Sequence, residues 1–207
     1  MLGAEGVKRL VVARLQAAMP TSLQVRRELT GASPVELPDV KRFYANLLPE
    51  SVASIDRFPF GTVTAEGTNG ELSNQIDPET VGNLLEKFDF EYTILVVFHV
   101  LVESHAGEGA ARLQVERLAL AAREALLSVR TLVASDDGDE AEVKFDRWVE
   151  EYDADPPQDE GAWIASARLL VPVATREVLD RSPYLDETRA VLHSWDTGRL
   201  PFKDVIT

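Results

Sequence analysis

From Phe88 to Val102 the apolar residues keep to every second position: Phe88, Phe90, Tyr92, Ile94, Val96, Phe98, Val100 and Val102 are all even-numbered. A period of two, rich in aromatic and β-branched side chains, predicts a strand over Lys87–Ser104. Between Ile94 and Val102 the odd positions are apolar as well, His99 excepted, so this half is expected to be covered on both faces and central in its sheet. The first half, where Asp89, Glu91 and Thr93 alternate with the aromatics, is expected to face water on one side. Unbroken, such a run spans roughly 60 Å, well beyond an ordinary strand. Either a bulge interrupts it or one end projects from the domain.

The period then becomes helical. In GEGAARLQVERLALAAREALLSV (107–129), Ala111, Val115, Leu118, Ala122, Ala125 and Val129 fall in one stripe at about 100° per residue, the side expected to lie on the sheet. On the opposite side, among Arg112, Glu116, Arg117, Arg123 and Glu124, stand Leu113, Leu120 and Leu127, seven residues apart. An aligned apolar row in a charged face predicts contact with a long loop or a second subunit; three scattered surface leucines are the plainer alternative.

Elsewhere the pattern is weaker. Val7, Leu10, Val11, Leu15 and Ala18 predict a helix over 3–18, with Pro20 as its stop. Leu23, Val25 and Leu29 alternate with polar residues and predict a strand over 21–30. Gly31, Pro34 and Pro38 predict loop as far as about Ile55. Phe58–Glu66 reads as a strand with Pro59 at its start or on an edge, and Asp77, Pro78 and Glu79 as the capped start of a short helix ending near Glu86. After the long helix come strands at Glu142–Tyr152 and Trp163–Val178, joined by a polar loop, Asp153–Gly161. Pro172 restricts the second of these to an edge or demands a bulge. Ser182 and Pro183 open a last helix that Gly198 closes. Leu200, Phe202, Val205 and Ile206 then make a tail too apolar to be solvated throughout. The order is that of an α+β protein: a mostly antiparallel β-sheet flanked by helices.

The 207 residues suffice for one domain with a real core, and 45% hydrophobic with 27% charged content is ordinary for a globular chain. No cysteine is present, which removes disulfides, thiol catalysis and Cys-based zinc sites. No uninterrupted apolar run predicts a membrane span, and Glu5 and Arg14 interrupt any signal-peptide layout. The net charge of −14 is concentrated: between Ser135 and Glu160 twelve acids face only Lys144 and Arg147, a local balance of −10. A tight grip on nucleic-acid phosphates through that segment is excluded by sign.

Chemistry is sparse. No nucleophile elbow, phosphate-binding loop, dinucleotide fingerprint or zinc-protease motif occurs. His99, His105 and His193 lack the spacing and partner acids of a metal pair; His99 is expected to be a hydrogen-bonded core or interface histidine. The acidic turn Asp136–Glu140 does not match a calcium loop and reads as solvated. Lys41, Arg42, Phe43 and Tyr44 read as a loop anchored by its aromatics, with a nucleic-acid contact as the weaker alternative. No catalytic residue, cofactor site or metal site is assigned, and no enzymatic activity is expected; an acidic hydrolase with unrecognised carboxylates is the alternative from that class.

Taken together, GVKRLVVARL, PFGTVTAEG, FDFEYTILVVFHVLVESHA and above all RLQVERLALAAREALL resemble tail terminator proteins of long-tailed (siphovirus-type) bacteriophages, particularly those of actinobacterial hosts. The resemblance covers roughly residues 3–178 as one domain and leaves 179–207 as a C-terminal helix and apolar extension. It implies a structural virion protein of the tail or neck, assembled in the host cytoplasm. There it would form a hexameric ring at the head-proximal end of the tail tube, end tube polymerisation and meet head completion or connector proteins. A connector or stopper of the neck is the nearest alternative. On this reading Leu113, Leu120, Leu127, Phe202 and Ile206 are candidates for the subunit interface. The acidic residues Asp136, Asp137, Asp139 and Glu140 would face the lumen, through which DNA passes without tight binding, or else meet a basic partner.

Overall fold

The computed structural model describes residues 3–46, 58–74, 85–103, 106–133, 140–155 and 162–180. The backbone forms helix α1 (Gly3–Thr30), strands β1 (Arg42–Tyr44), β2 (Phe60–Asn74) and β3 (Leu85–Glu103), helix α2 (Gly107–Leu127), and strands β4 (Thr131–Val133), β5 (Glu140–Val143), β6 (Val149–Asp155) and β7 (Ala162–Asp180). One seven-stranded sheet runs in the order β1-β2-β3-β7-β5-β4, with β6 also paired to β7. β1 is parallel to β2, whereas β4–β5, β5–β7 and β6–β7 are antiparallel, so the chain is α+β with a mostly antiparallel sheet. The chain divides into two compact units. One is Leu2–Asn69 with Phe90–Thr175; the other is Met1 with Gly70–Asp89 and Arg176–Thr207.

In the larger unit the core follows from periodicity. Tyr92, Ile94, Val96, Phe98 and Val100 on β3 and Ala165, Ala167, Leu169, Val171 and Val173 on β7 form one buried cluster with the inner stripes of both helices. Each fully buried Val, Leu, Ile or Phe contributes roughly 1.5–3 kcal/mol, so this shared face dominates stability. The odd face of β3 is less sealed: Val97 is buried, but Leu95, His99 and Leu101 are only half-buried. β3 is central, as its pattern required, and it is unbroken; its first residues, to Asp89, belong to the smaller unit.

α1 departs from expectation. It does not stop at Pro20, and residues 21–30 are helix rather than strand. The buried stripe Val7, Val11, Leu15, Met19, Leu23 advances by four residues straight past the proline, which lies on the exposed side. An interior proline costs about 3 kcal/mol through its missing N–H and its clash with the preceding turn. Continuing the helix buries Met19 and Leu23, at roughly 1.5–3 kcal/mol each, and together these outweigh that cost. The alternation of Leu23, Val25 and Leu29 is incidental, since Val25 is 42% and Leu29 70% exposed. Gly31, with φ of 68°, takes the left-handed conformation that ends the helix.

Smaller corrections concern the strands. Part of the expected loop after Gly31 is β1, held by Lys41 N–H donating to the Pro59 carbonyl at 2.9 Å. Gly61, opposite Phe43 in the β1–β2 register, has no room for a side chain: a Cβ there would stand 2.6 Å from the Phe43 ring. That close approach lets Phe43 reach Phe98 edge-on, with ring centroids 5.9 Å apart. Leu85 and Glu86 are strand, not helix end, and the rest of the expected 77–86 helix lies outside the described residues, as does everything after Asp180. Val129 falls beyond the end of α2 and is 49% exposed, so it is not part of the sheet-facing stripe.

The expected strand 142–152 is two strands. β5 pairs with β7 through Val143↔Val173 and β6 resumes at Val149↔Leu170, leaving Phe145–Trp148 as a bulge beside β7. Pro172 sits at this changeover. It is neither at an edge nor bulged itself; its carbonyl accepts from Lys144 N–H at 2.8 Å. The N and O of one strand residue point to the same side, so the missing donor faces the flank where β5 leaves and spares the ladder with β3.

Replacing Pro20 with alanine should raise the unfolding free energy by roughly 1–3 kcal/mol, the helix gain less the lost rigidity of the unfolded chain. Urea denaturation followed by far-UV circular dichroism would measure it; an unchanged or lower midpoint would mean that the helix does not run through position 20.

Candidate interaction surfaces

The leucine row on α2 is not uniform. Its flanks are tied down: Arg26 on α1 pairs with Glu124, Gln114 donates to the Glu36 carbonyl at 3.2 Å, and Arg123 pairs with Glu150 on β6 at 3.2 Å. Between these ties Leu113 is 45% exposed and Leu120 half-buried, while Leu127 packs on the edge of the chain's own core. Leu113 is thus the member that presents most apolar surface to water. Phe202 and Ile206 lie outside the described residues.

Of the acidic segment, Asp136, Asp137 and Asp139 also lie outside the described residues, and Glu140 is exposed at the first position of β5, opposite Val133. Glu142 is exposed and paired with Lys144. Glu150 differs from these. It accepts from Trp148 Nε1 at 2.7 Å and from the Tyr152 hydroxyl at 2.5 Å, and with the Arg123 ion pair it ties β6 to α2. Burial, the bond to Glu150 and that carboxylate's charge together hold the Tyr152 hydroxyl well above its ordinary pKa, so it stays a donor. Part of the negative charge in this region therefore serves the fold.

His99 is half-buried and stacks on Phe60, with centroids 4.8 Å apart and planes 26° from parallel. This is a ring contact, not the hydrogen-bonded histidine expected. Phe60 extends the cluster to Phe58 and Tyr44, and Arg42 lies over the Tyr44 ring at 5.8 Å. Burial first, and the charge of Arg168 second, push the His99 pKa below its ordinary 6.5. Among the described residues no group of three or more His, Asp or Glu side chains could hold a metal ion, and no helix is long and apolar enough to cross a membrane.

The Lys41–Tyr44 stretch proves to be more than a loop. Phe43 is buried, as its anchoring role required, while Lys41 and Arg42 are exposed beside a pocket of about 160 Å³ between α1 and residues 39–43. Met19, Leu23 and Phe43 supply its apolar part; Asp39 on its rim is held by Arg27 at 2.7 Å. No local pattern announces this pocket, because its two walls come from α1 and from the segment leading into β1. Phe145, which alternation places inward, is instead 53% exposed on the bulge.

No family model and no curated protein matches the chain.

Since the unfolded state binds a proton at His99 more readily than the folded state, stability should fall as pH drops below about 6.5. Above that pH the imidazole is neutral in both states and contributes no slope. A His99→Gln variant should show a shallower loss between pH 7 and 5 in denaturant titrations than the wild type; equal slopes would mean that His99 is not held neutral by the fold.

Proposed function

We propose that the chain is a structural virion protein that forms a ring at the head-proximal end of a bacteriophage tail tube, ends tube polymerisation and joins the tail to head completion proteins. Two things support the reading. The residues of α1, β2, β3 and α2 carry the resemblance to tail terminator proteins, and the larger unit leaves large apolar side chains in water. The observation that carries it is Leu113, 45% exposed on the outward face of α2, at the head of the Leu113, Leu120, Leu127 row. A ring subunit must bury different patches against its two neighbours, and covering an exposed leucine stabilises that contact by roughly 1.5–3 kcal/mol. The acidic segment fits the same reading, because negative charge toward a lumen repels phosphate and lets DNA pass. On this reading the protein works by shape and carries no catalytic group.

Leu113→Glu should leave the monomer folded, with stability changed by no more than about 0.5 kcal/mol as for a surface substitution, yet abolish ring assembly; Leu120→Glu should weaken it. Electron microscopy of tail tubes would then show overlong, uncapped tubes. Normal rings from both variants would reject this surface as the interface. Pull-down with tail tube protein against connector protein separates a terminator from a neck stopper.

Neutralising Asp136, Asp137, Asp139, Glu140 and Glu142 to Asn or Gln should preserve folding and slow DNA ejection from assembled particles. Unchanged ejection kinetics would remove the lumenal role.

A further inference from the structure

We infer that the pocket beside β1 receives Phe145 and Asp146 from a second copy of this chain, making a head-to-tail contact across the sheet edges. This deepens the ring reading and rests on it. The pocket, about 160 Å³, is lined by Met19, Leu23 and Phe43 and rimmed by exposed Lys41 and Arg42. A cavity of about 150 Å³ with apolar walls holds a benzene-sized guest, so the space suits one phenyl ring. Its cationic rim calls for an acid next to that ring.

The chain itself displays such a pair. In the bulge between β5 and β6, Phe145 is 53% exposed and Asp146 is exposed directly after it. The bulge is fixed at its far end, where Arg147 pairs with Glu91 at 2.7 Å and Trp148 with Glu150. Glu142 and Glu151 on either side are exposed and add to the negative field, so the attraction extends beyond one pair.

A protomer cannot fill its own pocket. β1 is one edge of the sheet, and the bulge lies beside β7, beyond β2 and β3. Neighbouring strands stand about 4.8 Å apart, so knob and pocket are separated by most of the sheet's width, within one compact unit. Each copy therefore offers a knob to one neighbour and a pocket to the other. That is a heterologous contact, which gives a ring if the rotation closes and a filament if it does not.

The absence of cysteine permits a direct test on the full-length protein. Arg42→Cys and Asp146→Cys, combined in one chain, should give a ladder of disulfide-linked oligomers under mild oxidation, whereas a mixture of the two single variants should stop at dimers. In the double-cysteine background Phe145→Ala should cut the ladder at least tenfold while circular dichroism stays unchanged. Arg42→Asp alone should weaken wild-type association, and adding Asp146→Arg should restore it. A ladder that ends in a closed species supports the contact and the ring; a ladder of open chains supports the contact and sinks the ring. Closed oligomers by mass measurement, with no ladder and no effect of Phe145→Ala, overturn the contact but leave the ring standing. A protein that stays monomeric and unlinked at every concentration overturns both.

Discussion

Everything in the larger unit hangs on one apolar face. Alternate residues of β3, from Tyr92 to Val100, meet the inner stripes of α1 and α2 and the matching face of β7, and no other part of the described chain removes as much apolar surface from water. The strength of that face explains why the chain tolerates local faults around it. A proline interrupts α1, a glycine replaces any side chain at position 61, and a proline occupies the middle of β7, yet the elements persist because tertiary burial exceeds each local cost.

How much of this was legible depended on whether burial was periodic over a long stretch. β3, α2 and β7 announce themselves, since fifteen or more residues repeating on one face leave few alternatives. The second half of α1 did not, because Pro20 imitates a stop signal while the helical stripe Leu15, Met19, Leu23 competes with an accidental alternation of Leu23 and Val25. The three-residue strands β1 and β4 are too short to carry any period. The break between β5 and β6 is hidden because Val143 and Phe145 keep in step with a strand that the backbone has already left.

The interaction surfaces were legible to a lesser degree for a related reason. The row Leu113, Leu120, Leu127 is visible as spacing, but how wet each member is depends on the neighbouring elements: α1 and the 33–37 turn beside one flank, β6 beside the other, the core edge under Leu127. The acidic excess is visible as composition, but composition does not distinguish Glu150, held by Trp148, Tyr152 and Arg123, from the exposed Glu142 a few residues away. Pockets are harder still. Met19, Leu23 and Phe43 come together only through the crossing of α1 over the start of the sheet.

Pro172 has one more consequence. Because its donorless side faces the place where β5 gives way to β6, the sheet has a seam there that does not depend on a continuous ladder. Residues inserted or deleted between Lys144 and Trp148 would alter only what protrudes from that seam, leaving the strands on either side in register. Across related sequences this is the position where length variation is cheapest, and so where lineages diverge first in what they dock against.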